Sequence, residues 1–187
     1  MERADRGPRY SSVAMVFHWT IAALVIWNWR LAEAAEEGGL SRAASQETMG
    51  LHMAIGMTIL ILSVGRLLWR VTHKYPAMPS DISNWERVLG KTVHIIFYVL
   101  IIGLPLGAWI ASSMDGEGID FFGLFTIPAL PVGQNEKLGH TIFEVHATGG
   151  MILIYFAGLH ILAALKHTFW DKNGELFRML PFGTPKA

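Results

Sequence analysis

The sequence predicts an all-α protein, a transmembrane four-helix bundle with both termini in the cytoplasm. Three observations support this prediction: four long apolar runs, tryptophans near their ends, and an uneven division of positive charge. Hydrophobic residues make up 52% of the 187 residues and charged residues only 16%, so polar side chains are too few to cover a soluble domain. We expect one integral membrane domain over residues 1–187, with helices at about 12–32, 48–70, 88–112 and 138–168.

The four apolar runs have the length that a membrane-spanning helix requires. They cover Val13–Ala32, Met53–Trp69, Val93–Ala111 and Ala147–Leu165. Each could cross the hydrocarbon core as a helix, and each is apolar on all sides, whereas a soluble bundle would show amphipathic stripes. Tryptophans at the run ends are typical interface anchors, and they include Trp27, Trp29, Trp69, Trp85, Trp109 and Trp170.

The first run has some features of a cleaved signal peptide. Arg3, Arg6 and Arg9 precede it, and the "AEA" of residues 32–34 imitates a cleavage site. However, the run is long for a signal peptide and contains His18. We therefore interpret it as the first membrane helix.

Charge divides unevenly between the two sides that these helices would define. One side holds the N-terminus, the connection between the second and third helices and the C-terminal tail, with twelve of the fifteen cations and six acids. The other side holds three cations, Arg30, Arg42 and Lys137, and nine acids, so the net charges are +6 and −6. Because cations mark the cytoplasmic side, both termini are predicted to lie inside.

The fourth run carries two histidines in the stretch "EVHATGGMILIYFAGLH". His146 and His160 are fourteen residues apart, which on a helix is a rise of about 21 Å with both side chains on one face. Histidine in hydrocarbon is costly without a partner, so this spacing indicates two cofactors at two depths. Haem iron accepts two axial histidines and is commonly held in helical bundles. The chain has no cysteine, which excludes iron–sulfur clusters.

Each cofactor needs a second ligand from another helix at a matching depth. At the outer depth this is His52, because His140 lies only six residues before His146 and cannot reach the opposite face of the same iron. At the inner depth His18 and His94 are both candidates, and depth alone does not choose between them. Glycines near these histidines would leave room for a flat macrocycle, although glycine also serves helix packing in membranes; they are Gly56, Gly149, Gly150 and Gly158.

Several motifs resemble the bacterial cytochrome b561 family over nearly the whole chain. They are "FHW" at His18, "LHMAIG" at His52, "VHATGG" at His146, "GLH" at His160 and the tail "ALKHTFWDKNGELFRMLP". The resemblance implies two haem b groups, the cytoplasmic one held by His18 with His160 and the periplasmic one by His52 with His146. It therefore favours His18 over His94. It also implies a multi-pass protein of the bacterial inner membrane that exchanges electrons with ubiquinone or another quinone.

Polar residues at the inner ends of the helices are candidates for two further roles. Arg66 and Arg70 are expected to pair with the propionates of the inner haem, although they would also serve as ordinary positive-inside anchors. A quinone is expected to contact residues on the inner side, with His167 as hydrogen-bond partner or proton donor; a histidine at the lipid headgroups would look the same. The candidate quinone residues are His167, His94, Lys166 and Trp170.

The expected function is electron transfer in the respiratory chain between the quinone pool and a periplasmic redox partner. One alternative is a superoxide oxidase (superoxide:quinone oxidoreductase); another is a haem-bearing anchor subunit of a larger dehydrogenase or hydrogenase complex. Superoxide is an anion, so the net outer charge of −6 favours docking of a basic redox protein. The expected partners are membrane lipid, quinone and that basic protein, with no nucleic acid. The outer acids include Glu33, Glu36, Glu37 and Glu47 in one loop and Asp115, Glu117 and Asp120 in the other.

Overall fold

The computed structural model describes residues 9–77 and 82–183. Its four long helices are α1 (Ser12–Glu36), α2 (Arg42–Thr72), α3 (Asn84–Met114) and α4 (Glu136–Leu165). By length and composition, all four could cross a membrane. The predicted all-α four-helix architecture is confirmed, whereas the cytoplasmic position of the termini stays a prediction. Six residues of the charge division lie outside the described part of the chain: Glu2, Arg3, Asp5, Arg6, Asp81 and Lys186.

The helices extend beyond the predicted apolar windows because polar caps set their ends. The Ser11 hydroxyl accepts from the backbone N–H of Ala14, and the Ser41 hydroxyl accepts from that of Ala44, each at 3.3 Å. Ser83 forms a capping box with Glu86, and Asn135 accepts from Leu138 at 3.1 Å. Hydropathy marks only the stretch inside the hydrocarbon, while each helix continues until a side chain satisfies its free N–H groups.

Neighbouring helices pack in sequence order, with α1 on α2, α2 on α3 and α3 on α4. By contrast, α4 makes few contacts with α1 or α2, which leaves a cleft between α4 and the α1–α2 pair. A cluster of buried side chains from all four helices crosses this cleft near its middle. We call it the central apolar cluster, and it consists of Ile21, Ile55, Ile59, Ile101 and Leu153.

A short antiparallel hairpin follows α3, and the sequence analysis did not predict it. Its strands are β1 (Ile119–Phe121) and β2 (Phe125–Ile127). Ile119 is buried, and β1 packs on α2. Gly118 allows the close approach, because a Cβ there would lie 2.7 Å from the carbonyl oxygen of Ile127.

The C-terminal segment, as far as residue 183, folds back across the end of the bundle at which α1 begins. A π-helical turn (Lys166–Trp170) and a 3₁₀ helix (Glu175–Met179) follow α4. The backbone N–H of Tyr10 donates to the carbonyl of Arg178 at 3.0 Å, and the Trp19 indole donates to that of Met179 at 2.7 Å. We call residues 166–183 the C-terminal strap. It holds both ends of the described chain at one end of the bundle.

Candidate functional site

Two histidines face each other at one end of the cleft. His52 on α2 and His146 on α4 have ring centres 6.0 Å apart, with ring planes at 79°. Imidazoles on opposite sides of one iron have ring centres roughly 6 Å apart, because each coordinating nitrogen lies about 2 Å from the metal. Because α4 makes few contacts with α1 or α2, a flat group could enter between the two rings from the cleft.

We call His52 and His146 the outer pair, after the side of the membrane predicted for them. Each histidine of this pair is oriented by a backbone carbonyl. The Nδ1 of His52 lies 3.0 Å from the carbonyl oxygen of Asn28, and the Nδ1 of His146 lies 2.9 Å from that of Leu104. A carbonyl can only accept, so in both rings Nδ1 carries the proton. The Nε2 lone pairs are then available to a metal, which is the usual arrangement of ligating histidines.

Three histidines meet at the other end of the cleft. The ring centre of His160 on α4 lies 6.3 Å from that of His18 on α1 and 5.7 Å from that of His94 on α3. The Nδ1 of His18 is buried without a hydrogen-bond partner. His94 differs, because Arg70 donates to its Nδ1 at 3.5 Å. The structure thus brings together all three histidines that the sequence placed at the inner depth.

The surroundings of both pairs fit a planar macrocycle. Within the described ranges, three buried polar atoms near the pairs lack partners: His18 Nδ1, Asn28 Oδ1 and Tyr98 Oη. A Cβ added at Gly150 or Gly158 would meet nothing within 4 Å, so these positions are open. Gly149 is different, because a Cβ there would lie 2.5 Å from Leu104. Its small size therefore serves the packing of α4 on α3 instead of making room for a cofactor.

A positively charged cavity adjoins the inner histidines. Its lining includes Arg66, Arg70 and His94. Both guanidinium groups lie 5.9 Å from the centre of the Tyr98 ring. No carboxylate in the described part of the chain forms an ion pair with either arginine. Guanidinium groups that are partly buried without acids favour a bound anion, so the cavity suits haem propionates.

The other candidate quinone residues lie apart from this cavity. His167 Nδ1 lies 2.7 Å from Asp171 Oδ2, and Lys166 Nζ bridges Asp171 at 2.8 Å and Glu86 at 3.1 Å. The hydrogen bond from Lys166 holds the pKa of Asp171 below its usual range. Trp170 is 84% exposed. Of the four candidate quinone residues, only His94 lies beside His160. The i,i+4 spacing of His167 and Asp171 could have indicated their pairing from the sequence.

The outer acids are not all in loops, which corrects the sequence analysis. Glu33 and Glu36 belong to the last turns of α1, and Glu47 belongs to α2. Arg30 pairs with Glu33 at 2.5 Å. Asp120 accepts from the backbone N–H of Gly123 at 2.8 Å and so stabilises the hairpin turn. Part of the outer negative charge is thus already engaged within the protein.

Comparison with known proteins finds one matching family and several similar proteins. A family model described as prokaryotic cytochrome b561 matches residues 9–182. "Cytochrome b561 homolog 2" of Escherichia coli (strain K12) is 26% identical, covering 92% of this chain and 91% of that protein. "Probable superoxide oxidase CybB" of Yersinia pestis is 28% identical, covering 92% and 96%. "Cytochrome b562" of Cereibacter sphaeroides is 23% identical, also covering 92% and 96%.

Proposed function

The chain belongs to the prokaryotic cytochrome b561 family, and from this premise we propose that it carries electrons across the membrane between the quinone pool and a periplasmic redox partner. Membership makes it a b-type membrane cytochrome, and its four apolar helices and bacterial relatives make it a multi-pass inner membrane protein.

The observation that supports the proposal most strongly is that two facing pairs of histidines lie on opposite sides of the central apolar cluster. Ring-centre distances of 6.0 Å for His52 with His146 and 6.3 Å for His18 with His160 suit two bis-histidine haem b groups. When bound, these groups would supply one-electron chemistry. Histidine at both axial positions leaves no open position for oxygen and favours electron transfer.

The hydrogen bond to His94 supports His18 as the inner ligand. Because an arginine can only donate, the Nδ1 of His94 accepts from Arg70. Its ring proton then sits on Nε2, which makes that nitrogen a donor and a poor metal ligand. The Nδ1 of His18 accepts from no described residue, so its Nε2 remains available. Arg66 and Arg70 would hold the propionates of the same haem.

We place the quinone at the inner end of the bundle. The Nε2–H of His94 can donate to a quinone carbonyl, and His94 is the candidate that adjoins an axial ligand. His167 and Lys166, with the Asp171 carboxylate between them, would exchange protons with the cytoplasm. Trp170, being exposed, would anchor this end at the membrane interface.

A second candidate function is superoxide:quinone oxidoreduction. The similarity to the probable superoxide oxidase of Yersinia pestis favours it. The electrostatics of the outer side favour a cationic partner instead, because acids outnumber cations there and superoxide is an anion. Both functions use the same histidines and differ in the donor.

Reconstitution with defined donors tests the proposal. The purified protein, in liposomes containing ubiquinone, should hold two low-spin haems per chain. A reduced basic cytochrome added outside should reduce these haems in stopped-flow traces and then the quinone. Reduction by superoxide alone would favour the second function. A single haem, or haems that exchange no electrons with quinone, would contradict the proposal.

A further inference from the structure

We propose that the hairpin after α3 inserts its turn into the lipid bilayer, at the end of the bundle predicted to face the periplasm. Three exposed apolar residues make the contact, and we call Phe122, Leu124 and Phe125 the hairpin tip. They would lie at the membrane interface, where apolar and aromatic side chains meet the lipid headgroups. This contact does not depend on which electron donor the protein uses.

The turn of the hairpin has a backbone conformation that phenylalanine does not favour. The backbone N–H of Leu124 donates to the carbonyl of Phe121 at 3.1 Å, which closes a β-turn around Phe122 and Gly123. Both central residues have positive φ, 56° and 71°, as in a type I′ turn, where asparagine, aspartate and glycine predominate. A bulky side chain is disfavoured there because its Cβ crowds the backbone. Phe122 therefore costs stability at a position where asparagine would be favourable.

Packing within the chain offsets only part of this cost. The Phe122 ring lies against that of Phe121, with ring centres 4.8 Å apart, but 46% of Phe122 is exposed. Leu124 and Phe125 are 76% and 57% exposed. Single exposed hydrophobic residues are common, whereas three large ones around one turn form a patch. A strained backbone that presents an exposed apolar patch indicates a binding role.

The hairpin is fixed to the bundle, so its tip has a defined position. Ile119 is only 2% exposed, and β1 packs on α2. Asp120 Oδ2 accepts from the backbone N–H of Gly123 at 2.8 Å, which stabilises the turn and engages the carboxylate of β1. Residues 121–135 contain no charged side chain. The tip and the chain that follows it therefore present an uncharged surface.

The chain after the hairpin returns to the depth of the apolar part of α3. The Trp109 indole donates to the carbonyl of Pro128 at 3.2 Å, and the backbone N–H of Leu130 donates to Ser113 Oγ at 2.9 Å. Trp109 belongs to the apolar run of α3 and lies five residues before the helix ends, which is a rise of about 7.5 Å. Because tryptophan is typical of the membrane interface, the segment after the hairpin is continuous with the part of the bundle that meets lipid.

These observations favour lipid over a protein partner at the hairpin tip. A basic redox protein would be attracted by acids, but Asp120 is already engaged and the tip itself is uncharged. The membrane interface, by contrast, accommodates phenylalanine and leucine side chains well. Acids that could attract a soluble partner lie where α1 ends, at the exposed Glu36 and Glu37. The two outer connections would then differ in their contacts, one with lipid and the other with water.

A nitroxide spin label on the hairpin tip tests this inference. Because the chain has no cysteine, Leu124→Cys gives a single labelling position, and Glu117→Cys, exposed and just before the hairpin, is the matched control. The full-length protein is placed in phospholipid nanodiscs and studied by electron paramagnetic resonance. Oxygen relaxes labels in lipid, and a water-soluble nickel chelate relaxes labels in water. The label at residue 124 should respond mainly to oxygen, and the label at residue 117 mainly to the nickel chelate.

Phe122→Asn separates insertion into lipid from a purely structural role. Asparagine suits the positive φ, so the thermal midpoint of the protein should not fall. Loss of a buried phenylalanine side chain changes an insertion equilibrium by roughly tenfold or more, so the label at residue 124 should become more accessible to the nickel chelate. If Phe122 served only the packing of the hairpin, the midpoint would fall and the accessibility would not change, which would overturn the inference.

Two other results with the labelled protein would also overturn the inference. Equal access of the nickel chelate to both labels would place the tip in water. Low access of both agents at residue 124, with an immobilised label, would indicate contact with a second copy of the chain. If Leu124→Cys does not fold, Phe125→Cys takes its place as a second position in the tip, and the same comparison with Glu117→Cys applies.

Discussion

For single residues, the proposed function depends on which ring nitrogen of each histidine carries the proton. Carbonyl partners place it on Nδ1 in His52 and His146, whereas Arg70 directs it to Nε2 in His94. The same residue type can thus bind a metal in one position and donate a hydrogen bond in another. This distinction leads to two predictions about individual histidines.

His146→Ala should remove the outer haem and retain the inner one. Alanine offers no ligand, while His18 and His160 are separated from this position by the central apolar cluster. Haem content per chain should fall to about half in the pyridine haemochrome assay, and the remaining haem should stay low-spin. Retention of both low-spin haems would rule out His146 as a ligand. Because the chain has no cysteine, all the haem should extract into acid acetone.

His94→Ala should keep two low-spin haems, whereas His18→Ala should lose one. The reason is that the Nδ1 of His94 already accepts from Arg70, so its Nε2 holds a proton. The visible and electron paramagnetic resonance spectra of the two variants would distinguish the assignments. If instead His94→Ala lost one haem and His18→Ala kept both, His94 would be the inner ligand. The hydrogen bond from Arg70 to its Nδ1 would then be absent from the protein with haem bound.

At the scale of elements, the C-terminal strap joins parts of the chain that are far apart in sequence. Arg178 is 3% exposed, pairs with Glu175 at 2.9 Å and donates to the carbonyl of Ala77. It also lies over the Tyr10 ring at 5.9 Å. This residue therefore connects the strap to the start of α1 and to the chain after α2.

Arg178→Met should loosen the strap and destabilise the protein by about 2–4 kcal/mol, because it leaves the Glu175 carboxylate and the Ala77 carbonyl without the partner that the buried arginine provides. The thermal midpoint in detergent should fall, and proteases should cleave the C-terminal segment faster. Lys91→Met is the control, since it removes an exposed cation and should change neither measurement appreciably. Equal effects of the two variants would show that the buried contacts contribute little.

At the scale of the whole molecule, charge is distributed differently at the two ends of the bundle. The inner cavity contains arginines without acids, while acids outnumber cations on the predicted outer side. This polarity suits a chain that receives electrons from a cationic partner outside and holds anionic groups inside.

The outer acids should accelerate the reaction with a basic redox protein. Opposite charges raise the association rate, and salt screens this attraction over about 10 Å at ordinary ionic strength. Haem reduction by a basic cytochrome should therefore slow as salt rises. Changing Glu33, Glu36 and Glu37 to glutamine should produce the same slowing at low salt, and reaction with superoxide should become faster.

Stopped-flow rates with both donors check this prediction. Asp5→Asn, on the predicted cytoplasmic side, is a suitable control for loss of an acid elsewhere. If the triple variant matched the wild type with both donors while superoxide reacted near the diffusion limit, a local positive path near Arg42 or Lys137 would explain the data better than net charge. Superoxide oxidation would then become the leading function.

Features that depend on a single helix could be predicted from the sequence. The four apolar runs predicted the membrane bundle, because a span needs only length and apolarity. The fourteen-residue interval between His146 and His160 predicted that these histidines lie on one face at two depths, because helix rise and rotation are constant along α4.

Features that depend on contacts between distant segments could not be predicted from the sequence. The carbonyls of Asn28 and Leu104 reach histidines 24 and 42 residues away, and no local pattern marks them. The same holds for the separation of His94 from His167, for the hairpin against α2 and for the strap. A histidine's depth follows from its place on one helix, whereas its proton, its partner and its charge environment follow from the helices that pack beside it.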